Sequence, residues 1–494
     1  MTAGRPRPHR PGRPGCSGLP AAAALSGLGI ALTLLGSFLV SMDVSVVNAI
    51  QPAIGKSLHG AGTAAVSWTI TAYAITFAAT LVPAGRIADR AGRRQAFSAG
   101  LGSFAVGSAV CALAPDLPIL LVGRVLQGAG AAAAQPASLG LLLAVTPTAR
   151  RAFYATRWGA AGAVGIALGP VVGGAINVLI SWRWAFLVNL PIVALALVLT
   201  PRALPETVRH PGRSLPDPPG AVLLAGAAAL ISLAVSQVTS WGLVDVKTVV
   251  AAALGVILGL AFVSRCRRVA DPVLHLGLLR ERRLALLTAT TALYAAGFFG
   301  LLFSFVLFLT NVWNLSTVEA GLCITPMAAT VVVLSSRVGH LPARIGFRPP
   351  LAIGAGLIAS GLIVDAAIEN GHSFHVVWLF VAVLIGVGLA LCYLLLGAAA
   401  VANTAATDLA GVTAINQCAR QLGAALGVAS TVAAIGPHAH RAANFHLAWL
   451  ICAGFSALAA VTATALGSER VRRPGWRAVQ AGLVGSSEGA RDAE

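Results

Sequence analysis

Apolar residues come in blocks of about twenty, separated by short polar connections that carry most of the chain's charge. A helix rises about 1.5 Å per residue and needs roughly 20 apolar residues to cross a bilayer. Fourteen blocks meet that length, near 25–47, 64–84, 96–115, 118–146, 152–178, 184–200, 219–238, 248–264, 284–309, 319–336, 350–368, 376–402, 409–435 and 444–467. The pattern predicts an all-α integral membrane protein of about fourteen transmembrane helices. The first block follows a basic leader but outruns the roughly 7–15 apolar residues of a signal peptide. It reads as an uncleaved first helix.

Composition agrees: 57% of the 494 residues are hydrophobic, 10% are charged, and mean hydropathy is +0.84. The net charge of +18 raises nucleic acid as a partner, so the placement of the basic residues decides. Of 34 Lys and Arg residues, 28 fall in or beside the two ends and alternate connections. Lys56, Arg183, Lys247 and Arg441 lie in the other connections, and Arg124 and Arg420 lie within blocks. That is the positive-inside pattern, with both termini in the cytoplasm. The basicity is topological, and no nucleic-acid partner is expected.

Seven cysteines are scattered without a paired spacing, which indicates neither a disulfide framework nor a zinc site. The close pairs His372/His375 and His438/His440 have no acidic or thiol companions, so no metal site is expected. The leader 1–24 and the tail 468–494 carry Pro, Gly and Arg without apolar periodicity, and are expected to be disordered.

The longest basic connections, at 201–220 and 265–283, bracket two blocks. This predicts a six-helix bundle over 25–200, a linker with two extra helices over 201–283, and a second six-helix bundle over 284–467. "GRIADRAGRR" (85–94) can be laid on "GHLPARIGFR" (339–348), which occupies the equivalent connection of the last six. Gly85, Arg90, Gly92 and Arg94 meet Gly339, Arg344, Gly346 and Arg348, whereas Asp89 meets Ala343. Two halves related by a parallel repeat are an organisation found in transporters.

Four stretches carry candidate chemistry. In "GRIADRAGRR", Gly85 and Gly92 suit tight turns and close packing. Asp89 there can cap a helix or pair with Arg93 or Arg94, a contact able to latch one conformation. "GRVLQGAGAA" (123–132) places Arg124 inside a span, where a charge faces a cavity, meets a partner or snorkels to the interface, with Gln127 one turn on. "GAVGIALGPVVGG" (162–174) repeats Gly165, Gly169 and Gly173 every four residues, a flat stripe for close helix contact. Pro170 would bend that helix. "MDVSVVNAIQP" (42–52) holds Asp43 near the far end of the first block, the one carboxylate clearly inside a span of the first six. A proton can be loaded and released at such a group as its neighbours change, or it can serve as a static partner of Arg124.

These motifs resemble the major facilitator superfamily, and within it the fourteen-span drug:proton antiporters. "GRIADRAGRR" is similar to the superfamily's signature between helices 2 and 3, and "GPVVGG" with Gly174 is similar to its exporter signature in helix 5. Asp43, Asn48 and Pro52 fill the first-helix motif of the fourteen-span group. Further matches are "WTITAYAITFAATLVPAGRIADR" (68–90), "SWRWAFLVNLPI" (181–192), "LSTVEAGLCITPMA" (315–328) and "NQCARQLGAALGVA" (416–429). The resemblance implies proton coupling at Asp43 and Arg124, a cytoplasmic gate at 85–94, and a cavity lined by residues such as Asn48, Tyr73, Gln127, Asn416 and Arg420.

The expected function is a secondary active exporter of hydrophobic or amphipathic small molecules. The proton gradient is its energy source, with no cofactor, acting as a monomer in a bacterial cytoplasmic membrane; an accessory subunit remains compatible with it. An importer or uniporter of a small metabolite on the same scaffold is the alternative. A membrane enzyme is a remote one, since the chain carries no G-x-S-x-G, H-E-x-x-H or P-loop pattern.

Overall fold

The computed structural model describes residues 27–58, 62–144, 146, 151–206, 217–269, 271–339, 341–367, 374–402, 404, 409–436 and 441–467. The leader, the tail, residues 207–216, His372, His438, His440 and Asp408 lie outside them. The helices are α1 (Gly27–Ser57), α2 (Thr63–Ala91), α3 (Arg93–Leu113), α4 (Leu117–Ala144), α5 (Arg151–Leu179), α6 (Trp184–Leu187), α7 (Asn189–Ala203), α8 (Pro218–Trp241) and α9 (Val246–Arg268). They continue as α10 (Arg282–Asn311), α11 (Thr317–Val338), α12 (Leu341–Ile345), α13 (Arg348–Ala367), α14 (Phe374–Val401), α15 (Leu409–Ile435) and α16 (Ala442–Thr464). Among the described residues, 14 spans are long and apolar enough to cross a membrane, with α6 and α7 together forming the sixth.

One boundary moves in a way that matters. The first helix does not stop near residue 47 but continues to Ser57, which puts Asp43 at its middle rather than its far end. Asn48 and Gln51 end the apolar run in the sequence, yet both are buried against the bundle. Polar residues facing inward leave the helix free to continue.

The two sets of six helices pack by matching rules. In the first set α1 lies on α5, and α4 on α2 and α3; in the second, α10 lies on α15 and α14 on α11 and α13. Between the sets, α2 meets α15 and α5 meets α11, so the second helix of each set rests on the fifth of the other. The repeated connection obeys the same symmetry: Gly92 and Gly346 both take positive φ, at 104° and 80°, one residue ahead of α3 and two ahead of α13. A side chain is disfavoured in that conformation.

α8 and α9 pair with each other, and α8 also lies on α2 and α15. They are peripheral: 22% of the most apolar window of α9 is buried, against 89% for α10. Side chains left exposed around the bundle are largely apolar, including Val249, Leu254, Ile257 and Leu260 on α9 and Leu195 and Val198 on α7. Such a belt would promote aggregation in water and is what a lipid-facing surface requires. At one end of the second set, Phe305, Phe308, Trp378 and Trp449 interlock, with ring centroids 4.5–6.3 Å apart.

Candidate functional site: a buried ion pair beside a cavity

α3 and α4 touch backbone to backbone because glycines line both. A Cβ on Gly107 would stand 2.7 Å from the Gln127 amide nitrogen, and one on Gly130 would stand 2.6 Å from that of Phe104. Gly128 lets α4 approach α2 equally closely, since a Cβ there would stand 2.7 Å from the Tyr73 carbonyl oxygen. Larger residues would hold these helices apart. Their absence brings Thr69, Ser108, Arg124 and Gln127 within reach of Asp43.

Arg124 Nη1 donates to Asp43 Oδ2 at 2.6 Å and to Gln127 Oε1 at 2.7 Å, while its Nε donates to the Thr69 carbonyl at 2.7 Å. Gln127 Nε2 donates to Asp43 Oδ1 at 3.1 Å and to Ser108 Oγ at 2.8 Å. Asn189 Nδ2 completes the cluster with longer contacts of 3.4 Å to Asp43 Oδ1 and Ser108 Oγ. The ion pair is sealed: the side chains of Arg124 and Asp43 are 0% and 1% exposed. The Arg124 carbon Cζ stands 4.4 Å from the Tyr73 ring centroid, a cation–π contact. Among the described residues, Arg124 Nη2 and Asn189 Oδ1 have no hydrogen-bond partner.

Tyr73 is also a wall of the central cavity. This space, about 440 Å³, lies between the two sets of helices and is lined among others by Ser41, Tyr73, Gln135, Tyr393 and Arg420. A second, more apolar space of about 420 Å³ adjoins it across Ile166, Leu302 and Tyr393. α1, α2, α4 and α5 contribute lining residues from one set, and α10, α11, α14 and α15 from the other.

Of the five residues expected to line a cavity, Tyr73 and Arg420 do so. Three stand elsewhere. Gln127 belongs to the ion-pair cluster. Asn48 is buried and donates to the Val44 carbonyl of its own helix at 2.9 Å. Asn416 accepts from the Thr291 hydroxyl at 2.7 Å, within the second set. Each is a polar side chain drawn to a hydrogen-bond partner inside the bundle, which the apolar pattern alone could not orient.

The glycine stripe of α5 seats α1. A Cβ on Gly165 would stand 2.5 Å from the Phe38 carbonyl oxygen, Gly169 faces Ser45, and Gly173 lies over Val46. The Ser45 hydroxyl donates to the Ile166 carbonyl at 2.8 Å. Gly174 instead faces Thr317 on α11, and a Cβ on Gly321 would stand 2.6 Å from the Pro170 carbonyl oxygen. α5 remains helical through Pro170. Asn177 Nδ2 donates to Thr317 Oγ1 at 2.8 Å, so one stretch of α5 serves both its own set and the opposite one.

At the α2–α3 connection, Gly92 makes the turn, but Gly85 does not. Gly85 lies inside α2, and a Cβ there would meet nothing within 4 Å. Close packing at this glycine is therefore a misreading, because α2 extends beyond its apolar block. Arg90 lies in the last turn of α2, and Arg93 Nη1 donates to the Gly140 carbonyl at 3.0 Å. Arg94 pairs with Glu206 beyond α7 and also donates to the Leu204 carbonyl at 3.3 Å. The Asp89 side chain, and with it the expected contact to Arg93 or Arg94, lies outside the described residues. Arg86 ties α2 to the segment after α9 through the carbonyls of Asp271 and Pro272, at 2.8 and 2.7 Å.

Sequence reasoning missed Thr69 and Ser108 as members of the ion-pair cluster. The signal of Ser108 was weak, since hydroxyl residues are common in membrane helices and usually bond their own backbone, and Thr69 takes part through its backbone carbonyl. Asn189 was visible only as a motif position, yet it supplies the contribution of α7.

A profile of the Major Facilitator Superfamily matches residues 33–428. The tetracenomycin C resistance and export protein of Streptomyces glaucescens is 32% identical over 399 residues, which cover 80% of this chain and 73% of that protein. The puromycin resistance protein of Streptomyces alboniger is 33% identical over 81% of this chain and 80% of its own. The lincomycin resistance protein of Streptomyces lincolnensis is 31% identical over 81% and 82%. Among solved structures, a peptide transporter in complex with sulfate matches with a TM-score of 0.67 at 16% identity, over 90% of this chain and 96% of that one. The human organic anion transporter MFSD10 matches with 0.61 at 15% identity, over 90% and 100%. At these identities the structures speak for the fold alone. With the profile spanning most of the chain and the relatives most of its length, this multi-pass membrane protein belongs to the Major Facilitator Superfamily.

Proposed function

We propose that this chain is a proton-coupled exporter of hydrophobic or amphipathic small molecules such as drugs, antibiotics or secondary metabolites, working by alternating access. The observation that carries the reading is the sealed Asp43–Arg124 pair, whose arginine lies against the ring of Tyr73, a lining residue of the central cavity. Protonation of Asp43 would remove the charge that Arg124 faces. Arg124 would then favour its other acceptors, Gln127 Oε1 and the Thr69 carbonyl, and the Tyr73 ring stacked on it would respond. Proton occupancy and cavity shape would thus be linked through one side chain.

Export as the direction is supported by the Gly169–Pro170–Gly174 segment, which brings α5 against both α1 and α11, and by relatives named for resistance and export. The basic connections support a cytoplasmic-membrane location with both termini in the cytoplasm. We assign residues 25–200 and 284–467 to two rocking bundles and 201–283 to the linker with its helix pair, in a protein acting as a monomer. The gate would include Gly92, Arg93, Arg94 and Asp89.

The test is uptake into inverted membrane vesicles of a panel including puromycin, lincomycin and fluorescent dyes, under an imposed proton gradient. Wild type should accumulate at least one compound and lose it when the gradient is collapsed, and Asp43→Asn at matched protein level should accumulate none. Equal accumulation by both would remove Asp43 from the coupling.

A further inference from the structure

The cavity holds an arginine without an acidic partner among the described residues. Arg420 lies on α15, within a span, and lines the space between the two sets of helices. Among the described residues it makes no hydrogen bond or ion pair, and its guanidinium carbon Cζ stands 5.5 Å from the centroid of the Tyr393 ring. A guanidinium at membrane depth carries a cost that an opposite charge normally offsets. Among the described residues no carboxylate lines either cavity, and Asp43 is already held by Arg124. The site therefore presents an uncompensated positive charge where low dielectric strengthens its field.

The polar groups concentrate in the first space, whose lining is otherwise apolar. Near Arg420 stand Gln421, Gln135 and Tyr73, groups able to hydrogen-bond oxygen atoms. Beyond the shared wall at Tyr393, the second space is lined by Phe298, Ile324 and Met327 with no charged residue.

We infer that the central cavity selects apolar molecules bearing an acidic group, a carboxylate or an ionised phenol or enol, which Arg420 binds while the apolar body lies toward Phe298 and Met327. The guanidinium offers paired N–H donors that match such an acid. Cationic drugs, by the same field, are disfavoured. This assigns a substrate class to the exporter proposed above and rests on that reading.

The experiment uses two dyes that share a xanthene core, anionic fluorescein and cationic rhodamine 123, bound at equilibrium to the full-length protein in lipid nanodiscs and corrected with empty discs. Wild type should bind fluorescein at least about tenfold more tightly than rhodamine 123. Arg420→Gln should lose about tenfold in fluorescein affinity without weakening rhodamine 123, and Arg420→Lys should restore most of the loss. Absence of fluorescein binding, or equal affinity of wild type for both dyes, overturns the inference. So does a parallel loss of both dyes in Arg420→Gln that Arg420→Lys does not repair, which would make Arg420 structural. Binding needs no proton gradient, so a retained fluorescein preference with no driven flux would sink the exporter reading alone. Driven flux without charge preference would sink only this inference.

Discussion

Arg124 on α4 and Asp43 at the midpoint of α1 form a 2.6 Å ion pair with neither side chain exposed to solvent. Removing one partner leaves the other charged, buried and unmatched, at a cost of about 3–5 kcal/mol, whereas removing both costs less. Asp43→Asn should therefore lower the melting temperature of the purified protein, and Asp43→Asn/Arg124→Gln should recover much of that loss. If the pair is the coupling element, the double variant will regain stability without regaining proton-driven transport. Recovery of both would reduce the pair to a clamp between α1 and α4.

Two glycines in one motif make opposite predictions. A methyl group on Gly85 meets open space inside α2, and Ala is the better helix former by about 1 kcal/mol, so Gly85→Ala should leave melting temperature equal or raised. Gly92 turns the chain at φ 104°, and Gly92→Ala should cost about 1–2 kcal/mol, read as a lower melting temperature. Equal effects would mean that the turn at Gly92 does not hold this connection.

The seam between α5 and α11 gives a third. Asn177 hydrogen-bonds Thr317 across the two sets, next to the contacts of Gly174 with Thr317 and of Gly321 with Pro170. If the two sets rock apart here during transport, Asn177→Cys/Thr317→Cys joined by a short reducible linker should stop turnover, and reduction should restore it. Unchanged turnover in the linked protein would place the moving seam elsewhere.

Much of this was legible in the chain because membrane helices obey a blunt rule. Their length is set by the bilayer, so apolar blocks located all fourteen spans, and the glycine stripe of α5 announced a helix contact before its partner α1 was known. The rule fails where polar residues turn inward. Asn48 and Gln51 cut the apolar run of the first block short, although they lie buried in a helix that continues to Ser57. Side-chain direction was equally hidden. Gln127 and Arg420 are both polar residues within spans, yet one closes on Asp43 and the other lines the cavity, a difference fixed by helix rotation and by the glycines at 107, 123 and 128. Thr69 enters through its backbone carbonyl, which no side-chain pattern records.

The central claim is that protons and substrate exchange through Asp43. It is tested most directly in proteoliposomes that report internal pH and substrate flux together, using a compound that the wild type transports. An outward substrate gradient imposed without a proton gradient should draw protons in the opposite direction in wild type. In Asp43→Asn the proton movement should vanish, while exchange of labelled for unlabelled substrate across the membrane persists. Proton movement that continues unchanged in Asp43→Asn would contradict the account.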